Sequence, residues 1–236
     1  MDAAGYVTLT RQSGLMREMQ VVAHNIANIS TTGFRREGVI FAEHVRRTDD
    51  GPSLSMGHAS ARHVDLRQAG LTQTGGTFDF AIQGEGFFQV ETPEGPRLTR
   101  AGSFTPNGDG ELVTPDGFRL LDLGEAPIFV PPEAGDFALA PDGTLSAQGQ
   151  PIAQVGLWIP ADPLSLRHQG GTLFQATDLE PVETAVLLQG FVEDSNVNPI
   201  SEIARMIAVQ RAYETGQGFL DKEDERVRGV IQTLGR

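Results

Sequence analysis

The C-terminal stretch of the chain carries the pattern that most constrains its fold. From Pro199 onward, ten positions separated by alternating steps of three and four residues hold Ile203, Met206, Gln210, Tyr213, Gln217, Leu220, Asp224, Val227, Ile231 and Leu234. Seven of these ten are apolar, and such a run over more than four heptads is typical of a long helix with a coiled-coil-like seam. Its polar seam positions, together with Gly216 and Gly218, weaken this helix, so we expect it to need a partner.

A second helix is predicted near the other end, over about residues 3–29. Leu15, Met19, Val22 and Ile26 recur there at spacings of four, three and four residues, which is the repeat of an apolar helical stripe. The run Asn28–Gly33 ends the helix, because Asn, Ser, Thr and Gly compete with or break helical backbone. We predict that this stripe meets six residues of the C-terminal seam, within one subunit or between neighbours. They are Ile203, Met206, Tyr213, Leu220, Val227 and Ile231.

The residues between the helices have the composition of a β-rich domain. Turn signals at Pro106–Gly110, Pro115–Gly117 and Pro141–Gly143 separate short apolar runs such as Phe87–Val90, which favours a sandwich or irregular barrel. The predicted fold class is therefore α+β, with long N- and C-terminal helices pairing as a coiled-coil-like core and an irregular all-β middle domain. We place an axial helical domain at 1–34 and 190–236, a linker or extended region at 35–75, with a flexible loop over 46–58, and an outer β-rich domain at 76–189.

The charge and the lack of cysteine exclude several classes of function. The net charge is −13, and residues 51–189 hold 17 acidic against six basic side chains. Such a surface repels phosphate and disfavours nucleic-acid binding. The absence of cysteine excludes disulfides and thiolate metal sites. No run approaches the roughly 20 apolar residues of a membrane helix, and no charged region followed by an apolar one indicates a secretory signal.

No catalytic, cofactor-binding or metal-binding residue is predicted. His58 and His63 are five residues apart without a third ligand, so they do not make a zinc site. The turn after Thr105 resembles a calcium loop, but Asp116 stands where that motif has its bidentate Glu. The paired carboxylates of the middle domain are explained more simply by a solvated acidic face than by glycosidase chemistry.

Three motifs in order along the chain resemble one known family. The first lies within residues 25–35, the second comprises Asp79–Phe88 and Leu98–Phe104, and the third begins at residue 195. The signature residues of the first and third are Asn25, Asn28, Thr31, Thr32, Gly33, Phe34, Ser195, Asn196, Val197, Asn198, Arg211, Tyr213 and Glu214. By these motifs the chain is similar to bacterial flagellar rod and hook proteins. Its opening, Met1–Gln12, is more similar to proximal than to distal rod members.

The resemblance implies a structural, non-enzymatic subunit of the flagellar basal-body rod. Such a protein leaves the cytoplasm through the flagellar export apparatus without a cleavable signal peptide. It polymerises helically in the periplasm with copies of itself and neighbouring rod proteins, with the helices near the axis and the β-domain outward, and transmits torque from motor to hook. No small-molecule substrate or membrane insertion is implied. Two alternatives remain open, namely a distal rod or hook-related axial protein and a β-rich enzyme acting on cell-wall glycan.

Overall fold

The computed structural model describes residues 3–48, 51–131, 135–182 and 184–234. They form two compact units. Unit 1 comprises the described parts of Met1–Ala27, Glu37–His63 and Asn198–Arg236, and unit 2 comprises those of Asn28–Arg36 and Val64–Val197. The chain has mixed α and β structure with a C-terminal helix and a β-rich middle, as predicted. Over the residues just given, no helix is both long enough and apolar enough to cross a membrane.

Helix α1 spans Ala3–Ala27 in unit 1. It ends two residues before the predicted limit at residue 29, because Asn28 starts a turn instead of continuing the helix. The Thr31 N–H donates to the Asn28 carbonyl O at 3.2 Å, and Thr31 Oγ1 lies 3.0 Å from Asn28 Oδ1. Asn28, the first residue of the run predicted to end the helix, therefore ends it by forming a turn with Thr31.

Helix α2 spans Pro199–Leu234 in unit 1 and has the predicted extent. Asn198 caps it, since its Oδ1 accepts a hydrogen bond of 3.1 Å from the Ser201 N–H. Pro199 occupies the first helical position, where a missing N–H is not needed. At a rise of 1.5 Å per residue the helix is roughly 54 Å long.

Unit 1 also contains a two-stranded sheet formed by β1 (Glu37–Thr48) and β2 (Gly51–Val64). The prediction of a flexible loop over 46–58 is therefore wrong for the described residues, which belong to these two strands. Gly51 and Pro52 indicated a loop, but the following residues, Ser53 to Met56, alternate polar and apolar side chains as a strand does.

Unit 2 is built from short antiparallel strands. The described strands β3–β18 are Leu71–Gln73, Phe80–Gln83, Phe87–Thr92, Gly95–Thr99, Thr105–Pro106, Leu112–Val113, Arg119–Leu120, Phe137–Leu139, Thr144–Ala147, Gln150–Gln154, Leu157–Pro160, Arg167–Gly170, Leu173–Gln175, Leu179–Pro181, Val186–Gln189 and Phe191–Glu193. A single 3₁₀ turn, Pro163–Ser165, separates β13 from β14 among the described residues. The three predicted turns are confirmed, because they join β7 to β8, β8 to β9 and β10 to β11.

The main sheet of unit 2 has the strand order β14-β15-β6-β5-β9-β8-β7, and β13 pairs with both β5 and β16. Smaller sheets are β10-β11-β12, β17-β4 and β18-β3. A continuous apolar core lies between these strands and includes Phe80, Phe88, Leu112, Leu120 and Leu145. Burial of each such side chain contributes roughly 1.5–3 kcal/mol to folding. Strand β18 leads through residues 194–197 directly to α2.

Candidate functional site

Helices α1 and α2 pack antiparallel in unit 1, so later residues of α1 contact earlier residues of α2. Glu18 Oε1 lies 2.5 Å from the guanidinium of Arg205. Closer to the start of α1, Gln12 Nε2 donates a hydrogen bond of 2.9 Å to the carbonyl O of Tyr213. The predicted stripe on α1 lies within this packed region, with Leu15 and Val22 buried and Met19 and Ile26 half-buried.

The residues predicted on α2 divide into two groups. Met206, Tyr213 and Leu220 are half-buried, whereas Ile203, Val227 and Ile231 are exposed. Among the described residues of α2, the buried ones are Glu202 and Val209. Together with half-buried neighbours they form a stripe of alternating four- and three-residue steps, which we name the pairing stripe. It consists of Glu202, Met206, Val209, Tyr213, Gly216, Leu220 and Glu223.

Asn25 joins three elements of unit 1. Its Nδ2 donates to the Glu37 carbonyl O at 2.9 Å and to Glu202 Oε2 at 3.1 Å, and its Oδ1 accepts from the Glu37 N–H at 3.0 Å. Asn25 and Glu202 are almost completely buried. Because a buried carboxylate or peptide group without a partner is costly, an amide at this position holds the end of α1, the start of β1 and the first turn of α2 together.

Gly216 lets the two helices approach closely. A Cβ at this position would lie 2.6 Å from Gln12 Nε2, the atom that donates to the Tyr213 carbonyl. A glycine inside a helix costs about 1 kcal/mol relative to alanine. From the sequence, this glycine is expected only to weaken the helix. The close contact explains why it lies in the pairing stripe.

Gly33 fixes the turn through which the chain leaves α1 and enters unit 2. Its φ is +70°, a conformation that favours glycine. An added Cβ would overlap the backbone of Arg100 and Ala101. The Gly33 N–H donates to the Glu193 carbonyl O at 2.7 Å. The Asn196 N–H donates to the Phe34 carbonyl O at 3.3 Å, so the first and third family motifs also meet through their backbones.

Two arginines and one glutamate form a buried charged group in unit 2, which we name the charged junction: Arg35, Arg100 and Glu193. Arg35 Nη2 lies 2.9 Å from Glu193 Oε1, and Arg100 Nη1 lies 3.0 Å from Glu193 Oε2. Arg100 also donates to the carbonyl O of Ile82 at 3.2 Å and of Gly84 at 2.6 Å. Each member is at most 3% exposed, so these charges depend on one another.

The charged junction carries one more positive than negative charge, and this affects its titration. Burial lowers the pKa of Arg100 to about 10, although Glu193 opposes that shift and Arg35 adds to it. Burial likewise lowers the pKa of Arg35 from its ordinary value. Both guanidinium groups stay protonated at neutral pH. The Glu193 carboxylate therefore balances them as a structural counter-ion and is itself fixed by the Ala69 N–H at 2.9 Å.

Asn196 ties the third motif to the segment after β2 within unit 2. Its Oδ1 accepts from the Arg36 N–H at 2.6 Å, and its Nδ2 donates to the carbonyl O atoms of Asp65 and Arg67 at 2.9 and 3.0 Å. Arg35 Nη1 donates to the same Arg67 carbonyl. Side-chain amide and guanidinium groups thus hold three neighbouring segments of the chain together, namely residues 35–36, 65–67 and 193–196.

The other signature residues have less specialised surroundings. Phe34 is fully buried and packs edge-on against the His168 ring, 5.7 Å between centroids. Val197 is buried, whereas Ser195, Thr31, Thr32 and Asn28 are half-buried. On α2, Arg211 and Glu214 are exposed, and Glu214 accepts a hydrogen bond of 3.0 Å from Gln210.

Several residues of this site were not predicted from the sequence. Gln12, Glu18, Glu37 and Glu202 are polar residues buried in unit 1, and Glu193 is buried in unit 2. A hydrophobic pattern counts such residues as solvent-facing, so it misses them. For Arg100 a signal existed, because it lies within the second motif. In the part of the chain that the structure describes, no three His, Asp or Glu side chains are placed to hold a metal ion.

Comparison with known proteins gives the same family for the middle and for the C-terminal part of the chain. A model described as flagellar hook protein FlgE/F/G D1 domain matches residues 81–147, and one described as flagellar basal body rod FlgEFG protein C-terminal matches residues 188–232. The chain is 39% identical to flagellar basal-body rod protein FlgF of Caulobacter vibrioides and 37% identical to that of Mesorhizobium japonicum, in each case covering 100% of this chain and 99% of the relative. It is 29% identical to FlgG of Bacillus subtilis, over 96% of this chain and 97% of that protein.

Proposed function

Because the chain belongs to the flagellar basal-body rod protein family, and is a structural rod subunit, we propose that its helical unit carries the contacts that build the rod. The observation that supports this is the number of large apolar side chains left exposed on α2. They are Ile200, Ile203, Ile207, Phe219, Val227, Val230, Ile231 and Leu234. Soluble chains rarely expose such a series on one helix unless it meets another surface.

The predicted assembly residues have two different roles in this proposal. Leu15, Val22, Met206 and Tyr213 stabilise the α1–α2 pair inside one subunit, since they lie in its packed region. Ile203, Val227 and Ile231 remain available for contacts between subunits, since they are exposed. Pairing of α1 and α2 as a coiled-coil-like core supplies a stiff element, and stiffness is what a torque-bearing rod needs.

Within the rod we propose the proximal segment as the place of this chain. The relatives named FlgF are 35–39% identical to it over the whole chain, whereas those named FlgG are 29–32% identical. By this difference in identity the chain is nearer to the relatives named FlgF, and the similarity of Met1–Gln12 to proximal rod members supports the proximal position. Gold labelling of an epitope-tagged chain in isolated basal bodies tests this position. A label at the end of the rod nearest the hook would contradict it.

Family membership supports a proposal for the neighbours of the chain and for its route of delivery. We propose that the chain contacts copies of itself and adjacent rod proteins in the periplasm, after passage through the flagellar export apparatus. Cells without a functional export apparatus should retain the chain in the cytoplasm. We also propose that the chain has no catalytic activity, and a cell-wall zymogram with the purified protein that showed a cleared zone would contradict this.

Complementation of a deletion strain tests the proposed function. The deletion should abolish swimming and the wild-type chain should restore it. Met206→Asp places a carboxylate in the pairing stripe and should block rod assembly while unit 2 remains folded. Gln217→Asp introduces the same residue at an exposed position of the same helix and should swim. Normal swimming with Met206→Asp would contradict the role of the helix pair.

A further inference from the structure

The pairing stripe of α2 does not stop where α1 stops covering it. Its four- and three-residue steps continue beyond Glu223 to Val227, Val230 and Leu234. There the exposed fractions rise to 45% for Val227, 48% for Val230 and 82% for Leu234, while Val209 within the pairing stripe is 5% exposed. Ile231, adjacent on the same face, is 64% exposed. We name these four residues the tail stripe.

The start of α2 carries a second apolar stripe on a different face. Ile200, Ile203 and Ile207, here named the start stripe, are 81%, 50% and 47% exposed. At about 100° per residue, the centre of this stripe lies roughly 140° around the helix from the centre of the pairing stripe. The exposed Ala204 and Ala208 lie beside it, and small side chains allow a second helix to approach closely. The start stripe therefore faces away from α1.

We propose that the tail stripe of one copy packs against the start stripe of a second copy. This inference rests on the proposed function and names the partner of the exposed α2 surface. The two stripes match in length, because each spans eight residues, or about 10 Å from the first to the last. They also match in spacing, since each has apolar residues at positions i, i+3 and i+7.

Folding back within one chain cannot make this contact. Ile203 and Val230 lie on the same continuous helix, roughly 40 Å apart along its axis at 1.5 Å per residue. Two arginines beside the tail stripe are paired with acidic residues of the same helix. Arg226 is paired with Glu223 at 2.9 Å and Arg228 with Asp224 at 2.7 Å, both within α2. With these two positive charges paired, the apolar tail stripe fits the equally apolar start stripe.

The geometry makes the contact heterologous, since each copy offers one tail stripe and one start stripe. A contact of this kind leaves a free stripe at each end of every dimer, so it propagates from copy to copy. When the repeated rotation does not close a ring, the product is an open helical array. That product agrees with the place of the chain in a rod.

Cysteine cross-linking tests the proposal cleanly, because the chain has no cysteine of its own. Ile203→Cys and Val230→Cys are introduced into separate copies, and both variants are produced together in one strain. Basal bodies are isolated and treated with a mild oxidant. A disulfide forms only where the two Cα atoms come within about 4.4–6.8 Å, and mass spectrometry of the linked peptides identifies the pair.

The proposal predicts a 203–230 cross-link in the mixed preparation and no cross-link when either variant is present alone. Gln232→Cys combined with Ile203→Cys is the matched control, because Gln232 is exposed but lies off the tail stripe, and it should give no cross-link. A 230–230 cross-link from Val230→Cys alone, or intact rods containing both variants without a 203–230 cross-link, would overturn this inference and leave the proposed function standing. Absence of the wild-type chain from basal bodies would overturn both.

Discussion

At the scale of single residues, two asparagines of the family motifs hold neighbouring backbone segments together through hydrogen bonds. Asn25 satisfies both polar backbone groups of Glu37 and the buried Glu202 carboxylate. Asn196 does the same for three backbone groups in unit 2. A short amide side chain can donate and accept at once, which explains why asparagine stands at both places. Their roles are therefore structural and follow from geometry alone.

Replacing Gly33 by alanine has two costs, one from the positive φ of its backbone and one from the close approach of another part of the chain. A second glycine allows the two costs to be separated. Gly33→Ala should lower the free energy of unfolding of unit 2 by more than about 2 kcal/mol, because the new Cβ meets the Arg100 and Ala101 backbone. Gly75→Ala is the matched control, since Gly75 has a nearly identical φ of +72° with open space around it. It should cost about 1–2 kcal/mol. Urea unfolding followed by the fluorescence of Trp158 gives both values, and equal losses would refute the close approach.

Removal of the buried counter-ion should be among the most damaging changes in unit 2. Glu193→Gln leaves two buried guanidinium groups without their partner, which should cost about 3–5 kcal/mol. Because burial lowers the folded-state pKa of Arg100 only to about 10, the cost of its charge is present at every pH below that value and is relieved only above it. Because Glu193 opposes that lowering, its removal lowers the pKa of Arg100 further and moves this relief to lower pH. The loss measured by urea unfolding should therefore be largest near neutral pH and become smaller as the pH rises toward about 9. A loss that grew with rising pH would count against the charged junction.

At the scale of elements, the sequence predicted the extent of α2 but not which of its faces meets α1. The predicted seam and the pairing stripe share Met206, Tyr213 and Leu220. They differ at alternate positions, where the structure buries Glu202 and Val209 instead of Ile203 and Gln210. A hydrophobic pattern predicts burial of Ile203 and exposure of Glu202, because it contains no information on the hydrogen bond from Asn25 to the buried carboxylate. The role of Ile203 between copies stays a prediction.

The face of α2 can be checked by paired truncations. Val209→Ala removes two buried methyl groups and should lower the free energy of unfolding of unit 1 by about 1.5–2.5 kcal/mol. Ile203→Ala truncates a half-exposed side chain and should change it by no more than about 0.5 kcal/mol. Thermal unfolding of the monomer followed by circular dichroism compares the two. The reverse order of losses would mean that α1 packs on the other face.

The glycines of α2 should respond differently to the same substitution. Gly218 has open space at the Cβ position, so Gly218→Ala should stabilise unit 1 by about 0.5–1 kcal/mol through helix propensity. Gly216→Ala gains the same propensity but displaces Gln12 from its bond to the Tyr213 carbonyl, which costs about 1 kcal/mol. The same circular dichroism measurement should show a net change near zero for Gly216→Ala. Equal stabilisation by both substitutions would show that Gly216 is not needed for close packing.

At the scale of the whole molecule, composition predicted a β-rich middle between two helices. It did not predict which strands pair with one another. Strand β5 pairs with β6, β9 and β13, and no local alternation distinguishes these partners from other short strands. The same holds for the charged junction, whose members come from positions 35, 100 and 193. Two of them lay in recognisable motifs, yet only the folded chain brings Glu193 between them.

We propose that α2 carries the contacts between rod subunits. Quantitative mass spectrometry of isolated basal bodies tests it most directly, comparing the wild-type chain with Ile207→Asp and with Gln217→Asp. Ile207 is 47% exposed, so its substitution should leave the monomer folded, and Gln217→Asp controls for the added charge. We expect the wild type and Gln217→Asp at equal amounts and Ile207→Asp reduced at least tenfold, since a carboxylate buried in an apolar contact costs more than about 1.4 kcal/mol. Equal amounts of all three would contradict the claim.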